Sequence, residues 1–106
     1  MKLIKYDKQW DFHREEHFLY IEGDDFIATY ALIYADWGIT LSGIYVNPDN
    51  RGKGIFNDIM DSVLEYIKDD IYIIVLKGST IIKKYETYGF EYYSDYEDEF
   101  IWMLKD

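Results

Sequence analysis

Ile44-Tyr45-Val46-Asn47-Pro48-Asp49-Asn50-Arg51-Gly52-Lys53-Gly54, followed by a run to Asp70, is the stretch on which the reading of this chain turns. After Gly54 the apolar residues fall at Ile55, Phe56, Ile59, Met60, Val63, Leu64 and Ile67. That three-and-four spacing predicts a helix over Gly54 to Asp70, buried on one face. Pro48 has no N–H to give to a ladder, so the strand before it ends there. The order is strand, glycine-containing loop, helix. The first turn of a helix leaves backbone N–H groups without partners and carries partial positive charge, which suits a phosphate. Gly52 and Gly54 allow close approach to the backbone, and Arg51 and Lys53 add side-chain charge. An ordinary loop before an ordinary helix has the same composition, so this segment alone leaves both readings open.

Upstream, Phe18 to Val46 is rich in Tyr, Ile, Phe, Leu and Trp and is broken at Gly23-Asp24-Asp25 and Asp36-Trp37-Gly38. These turn signals separate three strands, about Phe18 to Glu22, Phe26 to Ala35 and Ile39 to Val46, and the short connections make them antiparallel neighbours. Before them, Leu3 to Tyr6 reads as a short strand and Asp7 as the N-cap of one or two helical turns. Downstream, Ile71 to Leu76 is the continuous apolar run of a buried central strand, closed by Lys77-Gly78. Ser79 is set to cap a second helix, whose stripe of Ile81, Ile82, Tyr85 and Tyr88 ends at Gly89. A last hairpin joins about Phe90 to Tyr93 with Glu99 to Leu104 across the acidic turn Ser94 to Asp98. Residues 1 to 106 thus read as a single α+β domain, a mixed and mostly antiparallel sheet flanked by helices.

Composition narrows the function classes. Hydrophobic residues make up 49% of the chain and aromatic residues 20%, which excludes a disordered segment despite 30% charged residues. No cysteine is present, which removes thiolate nucleophiles, thiolate metal sites and disulfides, and makes a soluble protein of an intracellular, cytoplasmic compartment the expectation. The start of the chain shows no signal peptide, and no apolar run reaches the length of a membrane span. With 21 acidic against 11 basic residues, the formal charge of −10 argues against nucleic acid and anionic membranes as partners and for a cationic one. Arg51, Lys53, Lys77, Lys83 and Lys84 nevertheless cluster in a short stretch, where an anion would be welcome.

Ile44 to Gly54 resembles, in order and spacing, the pyrophosphate loop of the GCN5-related N-acetyltransferase family. In that family a basic or Gln residue opens the loop, a Gly follows three positions later, and a small residue follows two further on. Arg51 and Gly54 fit, whereas Phe56 occupies the third position, where it would crowd the cofactor or turn the helix. Lys84-Tyr85-Glu86-Thr87-Tyr88-Gly89-Phe90 resembles a second family segment, aromatic-Tyr, three residues, then Gly-Phe. The resemblance runs from about Phe18 to the C-terminus. It implies acetyl-CoA as co-substrate without a metal, with the backbone of Ile44, Tyr45 and Val46 beside the pantetheine arm. Arg51 and the amides of Gly52, Lys53, Gly54, Ile55 and Phe56 would then hold the pyrophosphate.

The same resemblance implies an N-acetyltransferase that passes acetyl directly to a primary amine, with Tyr85 giving a proton to the departing thiolate. Tyr85 also lies on its helix's apolar stripe, so a plain core tyrosine is the alternative. Where many relatives place a Glu as base, the strand before the loop offers Thr40 and Ser42, and neither takes a proton at neutral pH. Asp36 or Glu22, acting through water, are candidates the sequence does not place. Relatives also usually carry two helices in the amino-terminal region, where about 17 residues stand here. An open acceptor pocket, a pocket completed by a second subunit, and lost acceptor catalysis all follow from that. The acidic surface favours a small cationic molecule or a lysine-bearing peptide as acceptor, and exposed aromatic residues can support a homodimer.

Three readings compete. His13-Arg14-Glu15-Glu16-His17 matches the His-x-x-Glu-His pattern of inverted zinc peptidases, against a solvated polar helix face. The acidic surface with its 12 tyrosines also fits a protein that mimics DNA charge, or simply a soluble domain. Finally, Phe56, the missing base and the short amino terminus fit a coenzyme A-binding module without chemistry.

Overall fold

The computed structural model describes all of residues 1–106. Strands β1 (Lys2–Gln9), β2 (His13–Glu22), β3 (Asp25–Ala35) and β4 (Gly38–Leu41) form an antiparallel meander. Its register sets Asp7 opposite Glu16, Glu16 opposite Leu32, and Leu32 opposite Leu41. A two-residue strand β5 (Tyr45–Val46) pairs back onto Ala28 and Thr29 of β3. A 3-10 turn at Pro48–Asn50 and helix α1 (Ile55–Tyr66) lead to β6 (Ile71–Leu76), which lies parallel to β4. Helix α2 (Ile81–Thr87) and the hairpin β7 (Glu91–Tyr96) and β8 (Phe100–Lys105) complete the sheet, in the order β1-β2-β3-β4-β6-β8-β7. This is the mixed, mostly antiparallel α+β architecture expected from the sequence.

Both helices cover one face. Phe18, Tyr30, Leu32, Leu41, Ile71, Ile73, Val75 and Met103 from the sheet pack with Ile55, Ile59, Met60 and Val63 of α1 and Tyr85 of α2 in one buried cluster. The helices also touch each other: the Tyr88 hydroxyl donates to Asn57 Oδ1 at 2.7 Å. The opposite face, with Tyr72, Ile74, Leu76 and Trp102 at alternate positions of β6 and β8, carries no helix and leaves Leu76 51% exposed.

Several expected boundaries are corrected. Residues 7 to 18 are not helical: Asp7 sits inside β1, and His13 to Phe18 opens β2. The polar sequence hid a period of two, in which Glu16, Phe18 and Tyr20 face α1 while His13, Glu15 and His17 face away. The zinc-peptidase reading falls with the helix, because His13 and His17 lie on a strand and both hydrogen-bond Glu15, at 2.9 and 2.8 Å. The strand expected over Ile39 to Val46 is two strands separated at Ser42 to Ile44. Helix α1 ends at Tyr66 rather than Asp70, and α2 starts at Ile81 with Ser79 Oγ accepting from the Ile81 amide at 3.3 Å. The last hairpin is longer than expected, and its turn narrows to Glu97–Glu99.

What ties β1, β2, β3 and α1 together is a buried carboxylate. Glu16, 2% exposed, accepts from Lys5 Nζ at 2.6 Å, from the Tyr66 hydroxyl at 3.0 Å and from the Tyr34 hydroxyl, with Arg14 3.7 Å away. Burial works to raise its pKa, but the bonds from Lys5, Tyr34 and Tyr66 outweigh that, and it falls below the usual 4.5. A folded-state pKa below the unfolded one means stability that is present above about 4.5 and lost as pH falls through the lowered value. Glu16→Gln should therefore cost about 2–3 kcal/mol in urea unfolding at pH 7, through an imperfectly partnered Lys5 and Tyr pair. The gap between wild type and variant should close as the titration is repeated at progressively lower pH below 4.5.

Candidate functional site

The sheet opens in its middle. β4 and β6 are paired only at Ile39 with Ile71 and Thr40 with Tyr72. At the next residues the chain leaves β6: the Ser42 amide donates to the Ala31 carbonyl at 2.9 Å, and Ser42 Oγ accepts from the Ala31 amide at 2.7 Å. Ser42 thus keeps both backbone groups of Ala31 satisfied while β4 breaks, and β5 continues along β3 with its other edge turned to the gap.

The loop after β5 is anchored before it turns. Asn47 Nδ2 donates to the Phe26 carbonyl at 2.9 Å, and Asn47 Oδ1 caps the 3-10 turn by accepting from the Asp49 amide at 3.1 Å. Arg51 Nε donates to the Val46 carbonyl at 3.0 Å, and the guanidinium lies 5.6 Å from the Tyr45 ring centre. One nitrogen is used in holding the side chain, and its two terminal nitrogens remain to bind an anion. Gly52 and Gly54 have φ of 78° and 80°, a left-handed conformation that other residues adopt at a cost. Around them, none of the amides from Gly52 to Asn57 has an acceptor in the protein; the first bond of the helix is from Asp58 to the Gly54 carbonyl at 3.0 Å. Successive unpartnered amides at a helix start, in the positive end of its dipole, form an anion-binding concavity.

Between this loop, β5, β6 and α2 lies a cavity of about 700 Å³. Of the residues singled out from the sequence, Ile44, Tyr45, Val46, Arg51, Gly52, Gly54, Ile55, Phe56 and Tyr85 line it; Lys53 points elsewhere and is exposed. The sequence did not single out Ile74 and Leu76 of β6, Ile81 and Lys84 of α2, or Asn50 and Asn57, which also line it. The apolar run Ile71 to Leu76 suggested a strand covered on both faces, which conceals that one edge borders a gap. Lys84 was visible only as one of five clustered basic residues. With Arg51 it supplies the cavity's only cations, and no carboxylate lines the wall. Neither Asp36 nor Glu22 is among the lining residues.

Tyr85 is 3% exposed, its ring set edge to face between Phe56 at 5.7 Å and Phe90 at 5.6 Å. It is both a core residue and part of the cavity wall. Burial pushes its phenol up to about 12, so the hydroxyl holds its proton throughout the neutral range. Phe56, the departure from the expected small residue, rests against Tyr85 and carries Lys84 Nζ 4.8 Å from its ring centre.

A sequence model of the acetyltransferase (GNAT) domain matches residues 5–104 of this fold and site. The chain belongs to that family. No curated protein matches the sequence significantly. Among solved structures, Escherichia coli ElaA is similar with a TM-score of 0.73 and 18% identity, over 87% of this chain and 68% of that one. A Bacillus subtilis acetyltransferase in complex with CoA gives 0.74 and 18%, over 87% and 76%. The PaiA N-acetyltransferase of Thermoplasma acidophilum, in complex with coenzyme A, gives 0.70 and 15%, over 90% and 61%. This GNAT domain therefore spans between about three fifths and three quarters of those chains, and at such identities the likeness is one of fold.

The glycine conformations allow a test of the cradle itself. Gly54→Ala meets no neighbouring atom but must hold φ near 80°. It should lower stability by roughly 1 kcal/mol in thermal or urea unfolding, with little change in the circular dichroism of the folded protein.

Proposed function

We propose that this GNAT domain is a cytoplasmic N-acetyltransferase, which binds acetyl-CoA in the opened sheet and passes its acetyl group directly to a primary amine. The observation that carries the reading is the run of unpartnered amides from Gly52 to Asn57, flanked by Arg51 and Lys84 in a cavity without carboxylates. A diphosphate satisfies those donors, and little else in a strongly acidic protein would have an affinity for that cradle. Coenzyme A in the Bacillus and Thermoplasma relatives supports the same donor. The free edge of β5 offers backbone groups to the amide-bearing pantetheine arm, and Ile44, Ile74 and Leu76 supply apolar contact along it.

In the transfer step the neutral amine nitrogen attacks the thioester carbonyl and a C–N bond forms; the C–S bond then breaks, the sulfur leaves as a thiolate, and the nitrogen gives its surplus proton to water as it becomes the amide nitrogen. Tyr85, neutral and with no protein acceptor for its hydroxyl, is a group in the wall able to give that thiolate a proton. No wall residue can remove the amine's proton beforehand, so the acceptor enters already neutral. The acceptor is a small cationic molecule or a peptide lysine, drawn by the charge of −10 and losing its proton in solution.

Calorimetric titration with acetyl-CoA should show micromolar binding that Arg51→Glu weakens by roughly tenfold or more. No binding to the wild-type protein would remove the reading altogether. Tyr85→Phe should keep the affinity and lower kcat by roughly two powers of ten. With an amine acceptor, kcat/KM should rise with pH up to the amine's own pKa and show no fall before about 12, where Tyr85 ionises. A profile whose rising limb stays in place when the acceptor's pKa is changed would instead reveal a base on the protein. Binding without turnover of any amine would leave a coenzyme A-binding module.

A further inference from the structure

The uncovered face of the sheet holds a second recess, distinct from the acetyl-CoA cavity and sharing no residue with it. Its lining is Trp37 from the β3–β4 turn, Tyr72 of β6, Trp102 of β8, and Tyr93 and Ser94 of β7, around a volume of about 370 Å³. The rings stand nearly perpendicular to their neighbours. Trp37 meets Tyr72 at 71° and Trp102 at 84°, and Tyr72 meets Tyr93 at 81°, with ring centres 5.2 to 5.5 Å apart. Edge-to-face contacts of this kind turn successive π faces in different directions, so the faces left over surround a hollow instead of closing into a stack. Tyr93 reaches it because the β7–β8 register slips between Tyr92 and Ser94, a bulge that redirects one side chain.

The electrostatics of the recess are of one sign. Each aromatic face presents the negative part of its quadrupole. Asp36 precedes Trp37 and Asp70 lies two residues before Tyr72. Burial, then Tyr93 and Asp70, raise the Tyr72 phenol. The protein's own cations do not fill it: Arg14 lies over Tyr34, Arg51 over Tyr45 and Lys84 over Phe56, and no basic side chain stands over Trp37, Tyr72, Tyr93 or Trp102. Lys105, opposite Ile71 in the register, lies against Gly89, and Lys77 is 3.7 Å from Asp95.

We propose that the recess of Trp37, Tyr72, Tyr93 and Trp102 is a binding site for an organic ammonium ion, held by cation–π contact on several rings at once. An alkylated ammonium suits it best, since its methyl groups fill apolar space while its spread charge meets the ring faces and asks for no hydrogen-bond acceptor. The site does not depend on acetyl transfer, and stands or falls separately from it.

Ligand-observed NMR on the whole protein tests this with choline as the probe and 3,3-dimethylbutan-1-ol, its neutral carbon isostere, as the control. Choline should bind saturably in roughly the millimolar range, at least about fivefold more tightly than the alcohol. Trp37→Leu and Tyr93→Leu change side chains that are 58% and 57% exposed, so the fold should persist in both. Each should weaken choline roughly three- to tenfold. Equal binding of choline and the alcohol, no binding of choline, or full choline affinity in both variants would overturn the proposal. A peptide carrying one trimethyllysine, run in the same way, tells whether the ammonium is taken free or on a chain, according to which probe binds more tightly.

Discussion

Everything about the cavity beside the start of α1 depends on one exchange of hydrogen bonds, at Ser42. There the chain gives up its course beside β6 and returns to β3, with the Ser42 amide and hydroxyl answering the two backbone groups of Ala31. A strand continuing straight past Leu41 would have set Ser42 and Gly43 opposite Ile74 and Val75 and closed the sheet. The break leaves two facing edges with unpaired backbone groups, a costly arrangement unless water or a ligand fills the gap. A site for an extended, amide-bearing molecule is the natural result of such an opening, and the cradle at the start of α1 lies at one end of it.

Charge is arranged with the same economy. The surface is acidic almost throughout, yet Arg51 and Lys84 line a cavity whose wall has no carboxylate, and each lies against a ring, Tyr45 or Phe56. Phe56 stands where the family pattern has a small residue. Its ring braces Tyr85 and carries Lys84, so the departure from the pattern has a part in the wall as well as a cost in space. At the other end of the molecule the opposite solution holds: Glu16 is buried and every one of its bonds ties β2 to a different element, Lys5 from β1, Tyr34 from β3 and Tyr66 from α1.

The amino-terminal arrangement explains the uncovered face. β1 turns straight into β2 through Trp10 to Phe12, so no helix lies between them to pack over the sheet. His13, Glu15 and His17 satisfy one another there, while further along the sheet the aromatic rings of Trp37, Tyr72, Tyr93 and Trp102 gather on each other. Aromatic side chains suit a face of this kind, because they bury one another without a covering layer and keep polar atoms at the water boundary.

How much of this was legible in the sequence follows from the range of the forces involved. The amphipathic period of Ile55 to Ile67, the apolar run Ile71 to Leu76, the glycines of the loop and the two family segments are local signals, and they determined the order of elements from α1 onward and the resemblance to the family. The helix expected near Asp7 failed because β1 and the start of β2 are held by side chains distant in sequence, Lys5 with Glu16 and Glu16 with Tyr34 and Tyr66, and no local pattern records such partners. The break at Ser42 was hidden for a like reason: a serine within an apolar stretch reads as strand until Ala31, eleven residues earlier, is brought beside it. Sequence alone singled out the loop from Arg51 to Gly54 and Tyr85 as candidates. Only the tertiary structure decided that Lys84 joins Arg51, that Lys53 does not, that no carboxylate reaches the wall, and that four separated aromatic rings share a recess, because each of these rests on strands and helices meeting across the fold.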